Sequence, residues 1–269
     1  MRQTDHVSVT VPYLRIMKAE GRKIAALTAY DVSFAQAMDR AGIDVVLIGD
    51  SLGMVVQGHK TTLPVSLADM AYHTACVARG LERPLIIADM PFLTFQGGLE
   101  DALRAAGALM QAGAHMVKLE GAGPVLETVA YLHARGIPVC GHIGLTPQSV
   151  NAFGGFKVQG RGERGGELRV QAHKLAEAGV DALVLEAVPA MLAAEITRHV
   201  PVPTIGIGAG RDCDGQVLVM HDVLGLNTRA PRFVRDFLAH GGSIEGAFRA
   251  YVEAVRGGAF PTEAESYAS

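Results

Sequence analysis

The chain is poor in cysteine, contains little charge and lacks long apolar runs. Its three cysteines, Cys76, Cys140 and Cys213, are far apart and form no CxxC pair, which argues against a disulfide framework and a thiolate zinc site. No apolar run approaches the ~20 residues that a membrane-spanning helix needs, and the N-terminal segment does not resemble a signal peptide. We therefore expect a cytoplasmic protein with no membrane partner.

Charged residues make up only 19% of the 269 residues, and the net charge is −3. Because nucleic-acid binders usually carry a basic surface, we expect no nucleic-acid partner. The hydrophobic content of 49% is enough for a large core. The length is close to the roughly 250 residues of a (β/α)8 barrel. No linker divides the chain, so residues 1–269 are predicted to form one domain.

Apolar runs of strand length alternate with helical patterns along the chain. The runs are rich in Val and Ile and mostly uninterrupted by charge, which is typical of strands buried on both faces of a parallel sheet. Eight such runs begin at Lys23, Asp44, Pro84, His115, Ile137, Ala182, Pro203 and Gln216. Eight strand–helix units predict an α/β fold, a (β/α)8 TIM barrel, preceded by an N-terminal helix near residues 10–21 that closes the barrel bottom.

Three segments are predicted to depart from this alternation. Residues 146–166 form a long irregular loop on the rim that follows the fifth strand, and such loops usually have a function or are disordered. The last helix is predicted over residues 231–256, with an interruption near Gly241 and Gly242. The polar tail after Pro261 is expected to be disordered or exchanged between subunits.

Four acidic residues stand where apolar runs stop: Asp50, Asp89, Glu120 and Glu186. A carboxylate beside a low-dielectric core is costly unless it is paired, hydrogen-bonded or bound to a metal. Because the carboxyl ends of barrel strands form active sites, we predict a divalent cation and a general base here. Carboxylates without a paired His or Cys favour Mg²⁺, which takes one or two direct carboxylates. Glu120 is therefore predicted to act through water.

Simpler roles remain open for some of these residues. Asp50 and Ser51 are good helix N-caps, and Asp89 could belong to a turn. Glu120 and Glu186 fit such roles poorly, because Glu is a poor N-cap and a poor strand former.

Two basic residues lie close to the acids in the predicted strands. Lys118 shares a strand face with Glu120 and suits a substrate carboxylate, although it could form only an ion pair. His142 ends the fifth strand, where it could contact a ligand or serve as a structural histidine.

Other motifs carry less weight. Asp31 is predicted to cap the second helix. The GIGAG run at 206–210 resembles a phosphate-binding turn but lacks the dinucleotide spacing. His221 and Asp222 could form a dyad, yet no serine or cysteine nucleophile motif accompanies them. The basic residues of the 146–166 loop are expected to be solvated or to meet an anionic cofactor tail; they are Lys157, Arg161 and Arg164.

The motifs of this chain, taken together, resemble those of the ketopantoate hydroxymethyltransferase family. The matching segments occur in order and cover most of the chain. They are LTAYD, IGDSLGMVVQGH, TLPVSLADMAYH, IADMPF, VKLEG, GHIGLTPQSVN, LVLEAVP, GIGAG and QVLVMHDVLG. Their occurrence together is far more specific than any one of them.

The resemblance implies a Mg²⁺-dependent enzyme of pantothenate, hence coenzyme A, biosynthesis. It would transfer a hydroxymethyl group from 5,10-methylenetetrahydrofolate to 3-methyl-2-oxobutanoate, the 2-oxo acid, through an enolate. The implied metal ligands are Asp50, Asp89 and Glu120. The implied contacts to the oxo acid are Asp50, Ser51, Asp89 and Lys118. Glu186 is the implied proton acceptor, and the implied assembly is a homo-oligomer, commonly a decamer.

Two alternative functions remain. One is another Mg²⁺-dependent 2-oxo acid barrel, a carbon–carbon lyase or a phosphoenolpyruvate mutase-like enzyme. Such enzymes often need a cysteine near the metal, and only Cys140 lies at a strand end. The other is a catalytically silent binding barrel, which would have no need for Glu186.

Overall fold

A computed structural model describes residues 7–268. The eight apolar runs form eight strands, which are β1 Ile24–Thr28, β2 Val45–Ile48, β3 Leu85–Asp89, β4 Met116–Glu120, β5 Val139–Gly144, β6 Ala182–Glu186, β7 Thr204–Ile207 and β8 Gly215–Leu218. Each strand pairs in parallel with its sequence neighbour, and β8 pairs with β1, so the sheet closes into a barrel. The predicted (β/α)8 TIM barrel is confirmed.

Twelve α-helices are present in the described residues. They are α1 Val11–Ala19, α2 Val32–Ala41, α3 Leu52–Val55, α4 Leu67–Ala78, α5 Leu99–Gln111, α6 Val125–His133, α7 Val150–Phe153, α8 Arg164–Ala178, α9 Ala190–His199, α10 Met220–Val223, α11 Leu238–Gly241 and α12 Ile244–Arg256. The Asp31 side chain accepts hydrogen bonds from the N–H groups of Ser33 and Phe34 at the start of α2, as predicted for an N-cap. Helix α4 begins with the capping box of Ser66 and Asp69, which satisfies N–H groups that have no partner inside the helix.

Helix α1 closes the N-terminal end of the barrel. Its Leu14 and Met17 are buried against side chains that fill the barrel interior, among them Ile24 and Val45. An ion pair of 2.7 Å joins Lys18 Nζ to Asp214 Oδ2 and ties the helix to the start of β8. The prediction that the N-terminal helix covers the barrel bottom is confirmed. A second, larger core lies between the strands and the surrounding helices.

The segment between β7 and β8 contradicts the strict strand–helix alternation. Strand β7 ends at Ile207, and β8 begins at Gly215 with no helix in the residues between them. Gly208 and Gly210 lie there with positive φ of 62° and 79°, a conformation that L side chains rarely adopt and that does not continue into a helix.

The C-terminal segment also differs from its prediction. Residues 231–237 are not helical, and α12 begins only at Ile244, after Ser243 caps it by accepting from the Gly246 N–H. Phe233 and Phe237 are buried, so this segment packs by its aromatic side chains. The predicted interruption near Gly241 and Gly242 is confirmed, since α11 ends at Gly241 and Gly242 has a positive φ of 67°. The predicted start at residue 231 is wrong, because residues 231–237 pack by aromatic side chains outside any helix.

The tail after Pro261 is ordered against the body, so the expectation of disorder is wrong. Arg235 binds Glu265 through two contacts of 2.7 Å, and the Tyr267 carbonyl accepts a hydrogen bond from the Ala190 N–H. The 146–166 loop is also shorter than predicted, because Pro147–Ser149 is a 3-10 helix, α7 follows it, and α8 begins at Arg164. No helix in residues 7–268 is long and apolar enough to cross a membrane.

Candidate active site

The four predicted acids come together at the carboxyl end of the barrel. Asp89, Glu120 and Glu186 are the last residues of β3, β4 and β6, and Asp50 lies two residues beyond β2. They line one cavity of about 670 Å³. The cavity is also lined by the other residues predicted for this site, Ser51, Lys118 and His142. The barrel therefore brings every predicted site residue to one chamber.

Lys118 is the cation among the acids. Parallel pairing places it beside Asp89 on the neighbouring strand. Its Nζ lies 3.0 Å from Asp89 Oδ1 and 4.0 Å from Glu120 Oε1, and the side chain is almost fully buried. Burial alone would lower the pKa of Lys118, but the charges of Asp89, Glu120 and Asp50 outweigh it and raise that pKa. Lys118 is therefore a permanent positive charge in the chamber.

Asp50 and Asp89 are held next to each other. The Asp50 N–H donates to Asp89 Oδ2 at 3.1 Å. Burial raises the pKa of Asp50, and the neighbouring charges of Asp89 and Glu120 raise it further. Burial also raises the pKa of Asp89, although Lys118 opposes that shift. Two buried carboxylates this close repel each other, which is the arrangement that a cation relieves.

The helix-capping explanation for Asp50 and Ser51 is not supported. Neither side chain forms a capping hydrogen bond at the start of α3. Asp50 Oδ2 accepts from Gln148 Nε2 at 2.9 Å, and Ser51 Oγ lies 2.9 Å from the hydroxyl of Tyr30. Both side chains belong to the hydrogen-bond network of the chamber.

His142 links the acid cluster to Glu186. Its Nδ1 lies 3.5 Å from Glu120 Oε1, and its Nε2 lies 3.2 Å from Glu186 Oε2. Burial and the Lys118 charge oppose protonation of the ring, but the carboxylates of Glu120 and Glu186 raise the pKa of His142 to about 9. The same surroundings act on Glu120: burial raises its pKa, but His142, Lys118 and the Gln148 N–H outweigh burial and lower it.

Gln148 is a site residue that the sequence reasoning missed. Its Nε2 donates to Asp50 Oδ2 at 2.9 Å and to the Met90 carbonyl at 3.0 Å, and its backbone N–H donates to Glu120 Oε2 at 2.9 Å. It connects the acids of β2 and β4 from a 3-10 helix that follows β5. The only sequence signal is its position just after a strand, inside the segment read as an irregular loop.

The donor set fits a hard divalent cation. Asp89 Oδ1 is buried and lacks a hydrogen bond, although Lys118 Nζ lies near it. The three carboxylates Asp50, Asp89 and Glu120 outnumber the nearby cations Lys118 and His142. Across residues 7–268 no three His, Cys, Asp or Glu side chains are arranged as a complete metal ligand set. Two carboxylates, with substrate and water oxygens, match the ligands that Mg²⁺ prefers.

The structure also tests the sequence motifs that were considered weaker signals of function. His221 and Asp222 form no hydrogen bond with each other, since Asp222 accepts from Asn227 and His221 Nδ1 has no partner. Lys157 lines the cavity, whereas Arg161 and Arg164 do not. A wall formed by Phe233 and Tyr267, whose rings pack edge to face 6.4 Å apart, was not predicted.

A comparison with known protein families decides between the remaining functions. The family model described as ketopantoate hydroxymethyltransferase matches residues 8–263. The chain belongs to the ketopantoate hydroxymethyltransferase family. It is therefore an enzyme, a hydroxymethyltransferase. Membership of this family favours the transferase over the lyase, the mutase and the silent barrel.

Curated relatives support the same family over nearly the whole chain. The chain is 59% identical over 263 residues to a 3-methyl-2-oxobutanoate hydroxymethyltransferase of Xylella fastidiosa (strain 9a5c), covering 97% of this chain and 96% of that protein. It is also 59% identical to the enzyme of that name from Xanthomonas euvesicatoria pv. vesicatoria (strain 85-10), over the same shares of both chains.

Solved structures of other enzymes share the fold. A phosphonopyruvate hydrolase matches with a TM-score of 0.62 and 15% identity, covering 81% of this chain and 84% of that one. A 2,3-dimethylmalate lyase of the phosphoenolpyruvate mutase/isocitrate lyase superfamily matches with a TM-score of 0.59 and 15% identity, over 77% and 80% of the two chains. At this level of identity the likeness shows the barrel alone.

Proposed function

We propose that the enzyme transfers a hydroxymethyl group from 5,10-methylenetetrahydrofolate to 3-methyl-2-oxobutanoate and so forms ketopantoate. The observation that carries this proposal is that one carboxylate of the chamber, Glu186, stands apart from the other three. Asp89 and Glu120 lie within 4.0 Å of Lys118, and the Asp50 N–H donates to Asp89. Glu186 contacts this group only through His142. An enzyme that removes a proton beside a bound oxo acid needs a polar binding site and a separate base.

Asp50 and Asp89 would hold Mg²⁺ directly, with Glu120 acting through water. When bound, Mg²⁺ supplies a Lewis acid for the oxygen atoms of the oxo acid. A solved phosphonopyruvate hydrolase, which shares the barrel fold, forms a complex with oxalate and Mg²⁺. The fit rests on the oxygen donors and on the buried Asp89 Oδ1 that lacks a hydrogen bond.

Lys118 and Ser51 would position the oxo acid. The Lys118 ammonium is permanently charged and faces carboxylates on two strands, so it offers positive charge to a substrate carboxylate or to an oxyanion that develops during the reaction. Ser51 lines the same chamber, and Tyr30 holds its hydroxyl in place.

Glu186 would act as the general base. Its carboxylate takes the proton from C3 of the oxo acid, and the C–H electron pair passes into the enolate. The iminium forms when one of the two methylene–nitrogen bonds of the folate opens and that nitrogen takes up a proton, and the enolate carbon then bonds to the methylene carbon. Water attacks this carbon as its remaining bond to nitrogen breaks; the hydroxyl stays on the product, and the proton of the water goes to the nitrogen of the departing tetrahydrofolate. His142 Nε2 lies 3.2 Å from Glu186 Oε2 and would help to orient the carboxylate for proton removal.

Exchange of deuterium at C3 of 3-methyl-2-oxobutanoate tests this function. We expect the wild-type enzyme to exchange that hydrogen in the presence of Mg²⁺, because proton removal precedes transfer. Glu186→Gln is expected to bind the oxo acid and Mg²⁺ but to lose exchange. The matched control is Glu253→Gln, which changes an exposed glutamate of α12. Exchange that persists in Glu186→Gln rules out Glu186 as the base.

The pathway, the cellular location, the domain boundaries and the assembly state are further parts of this proposal. We propose that the enzyme catalyses the first step of pantothenate biosynthesis in the cytoplasm, as a single barrel domain over residues 1–269. The homo-oligomer, a decamer by family resemblance, also stays a prediction. Light scattering on the purified chain measures the assembly size directly.

A further inference from the structure

The chamber extends beyond the acids to the opposite side of the barrel. In the closed strand order β8 lies across from β4, which carries Lys118 and Glu120. The side near β8 is lined by residues that have no part in oxo-acid chemistry. They are Val217, Leu218, Val219, Asp222, Asn227 and Phe233. A five-carbon oxo acid among the acids leaves this half of the cavity open for a second ligand.

Asp222 is the acidic residue of that half. It is only 7% exposed and lines the cavity. Its carboxylate accepts one hydrogen bond, from Asn227 Nδ2 to Oδ1 at 3.2 Å, and no Lys, Arg or His within residues 7–268 forms an ion pair with it. A buried carboxylate without a cation is costly unless a ligand donates to it. Burial also raises the pKa of Asp222.

The walls of the cavity that Asp222 lines suit a flat heterocycle. The rings of Phe233 and Tyr267 form one wall, and the apolar residues at the end of β8 form another. Arg229 lines the same cavity and is exposed. Together these residues offer flat apolar surface, one buried acceptor with two oxygens, and a cation at the rim.

We propose that Asp222 binds the pterin ring of the folate co-substrate. The 2-amino-4-oxo-pyrimidine edge of a pterin presents the N3 hydrogen and a 2-amino hydrogen side by side, and a carboxylate accepts both as a bidentate pair. Asn227 orients the carboxylate, and Arg229 meets the glutamate tail. The inference rests on the proposed function, because it assumes folate as the one-carbon donor.

Binding of tetrahydrofolate, measured by calorimetry without turnover, tests the assignment. We expect Asp222→Asn to weaken binding about tenfold to a hundredfold, the range for losing hydrogen bonds to a charged acceptor. Asp212→Asn is the matched control, since Asp212 is exposed and lies outside the cavity. It should bind tetrahydrofolate as the wild type does. A thermal melt of each variant checks folding.

A ligand-side experiment complements the variant. A tetrahydrofolate analogue without the 2-amino group keeps only the N3 hydrogen of the pair, so it should bind the wild type more weakly than tetrahydrofolate does, and Asp222→Asn should weaken binding of the analogue less than it weakens binding of tetrahydrofolate. Equal wild-type affinity for the two ligands overturns the Asp222 assignment but leaves folate as the donor. A wild-type enzyme that exchanges C3 deuterium yet binds no tetrahydrofolate overturns the folate donor as well.

Discussion

The Nε2 atom of His142 lies 3.2 Å from Oε2 of Glu186, without hydrogen-bond geometry between them. The other ring nitrogen of His142 lies near Glu120. One imidazole therefore connects the acid cluster of β2–β4 to the single carboxylate of β6. A small movement of either side chain would complete the hydrogen bond, since catalytic contacts often tighten only when substrate is bound.

His142→Gln should slow C3 deuterium exchange by about tenfold to a hundredfold, the usual cost of removing a group that orients a site residue. The physical reason is the loss of the imidazole that lies between Glu120 and Glu186 and orients the Glu186 carboxylate. Proton NMR of 3-methyl-2-oxobutanoate in deuterated buffer measures the rate. His173→Gln is the control, because His173 is exposed on α8. An unchanged exchange rate in His142→Gln contradicts this role.

Gln148→Met should destabilise the fold and the site together. The substitution keeps the side-chain length but removes the donors to Asp50 and to the Met90 carbonyl, and unpaired buried polar groups cost about 1–3 kcal/mol. Urea unfolding measures the loss, and exchange at C3 should fall as well. Gln159→Met is the control, because the Gln159 side chain donates to the nearby Lys157 carbonyl and to no acidic residue of the chamber in the described residues. Equal free energies of unfolding for the two variants would show that the hydrogen bonds of Gln148 do not stabilise the fold.

Lys118→Met should make the enzyme depend more strongly on divalent cations for stability. Removing the ammonium leaves three buried carboxylates with less positive charge, and breaking a buried pair costs about 3–5 kcal/mol. We expect a lower Tm and a larger rise in Tm on adding Mg²⁺ than for the wild type. Lys174→Met, at an exposed position of α8, is the control. If Mg²⁺ raises Tm equally in the wild type and in Lys118→Met, then the Lys118 charge does not influence cation binding at this site.

Glu265→Gln should loosen the C-terminal tail in a pH-dependent way. Burial alone would raise the pKa of Glu265, but Arg235 and the Thr262 N–H lower it below its ordinary value. Its contribution is therefore present above the unfolded pKa of about 4.3 and is lost as pH falls through the lower folded pKa. The pair is partly exposed, so the effect at pH 7 is below about 1 kcal/mol.

Limited proteolysis of the tail measures that effect. Glu265→Gln should be cleaved faster than the wild type at pH 7, and the difference should shrink as pH falls below the unfolded pKa of about 4.3 and disappear below the lower folded pKa. Glu263→Gln, an exposed neighbour in the same turn, should behave as the wild type. A difference that persists at acidic pH would show that the Glu265 charge is not what holds the tail.

The strand-end acids could be located from sequence because two simple regularities coincide. A parallel sheet buries both faces of its strands, so each strand reads as an apolar run, and a charge such as Asp89 or Glu186 marks its end. Closure of the barrel then places those ends at one mouth. The role of Asp31 as a helix N-cap could also be predicted from sequence, because an N-cap side chain bonds to residues only two or three positions away.

Contacts between residues far apart in sequence could not be predicted in this way. Gln148 lies 98 positions from Asp50, and no periodicity signals their hydrogen bond. The predicted start of the last helix at residue 231 was wrong for a related reason, because Phe233 and Phe237 are buried by tertiary packing outside any helix. Tyr267 reaches the cavity only because Arg235 and Glu265 fasten the tail.

Helix α1 has a kinetic consequence. Leu14 and Met17 seal one end of the barrel, so ligands reach Lys118 only from the mouth that carries Asp222. With folate bound at the proposed Asp222 site, the small oxo acid would have to enter before the larger folate, and tetrahydrofolate would have to leave before ketopantoate. Under that proposal the plug of the barrel would impose a compulsory order of addition and release.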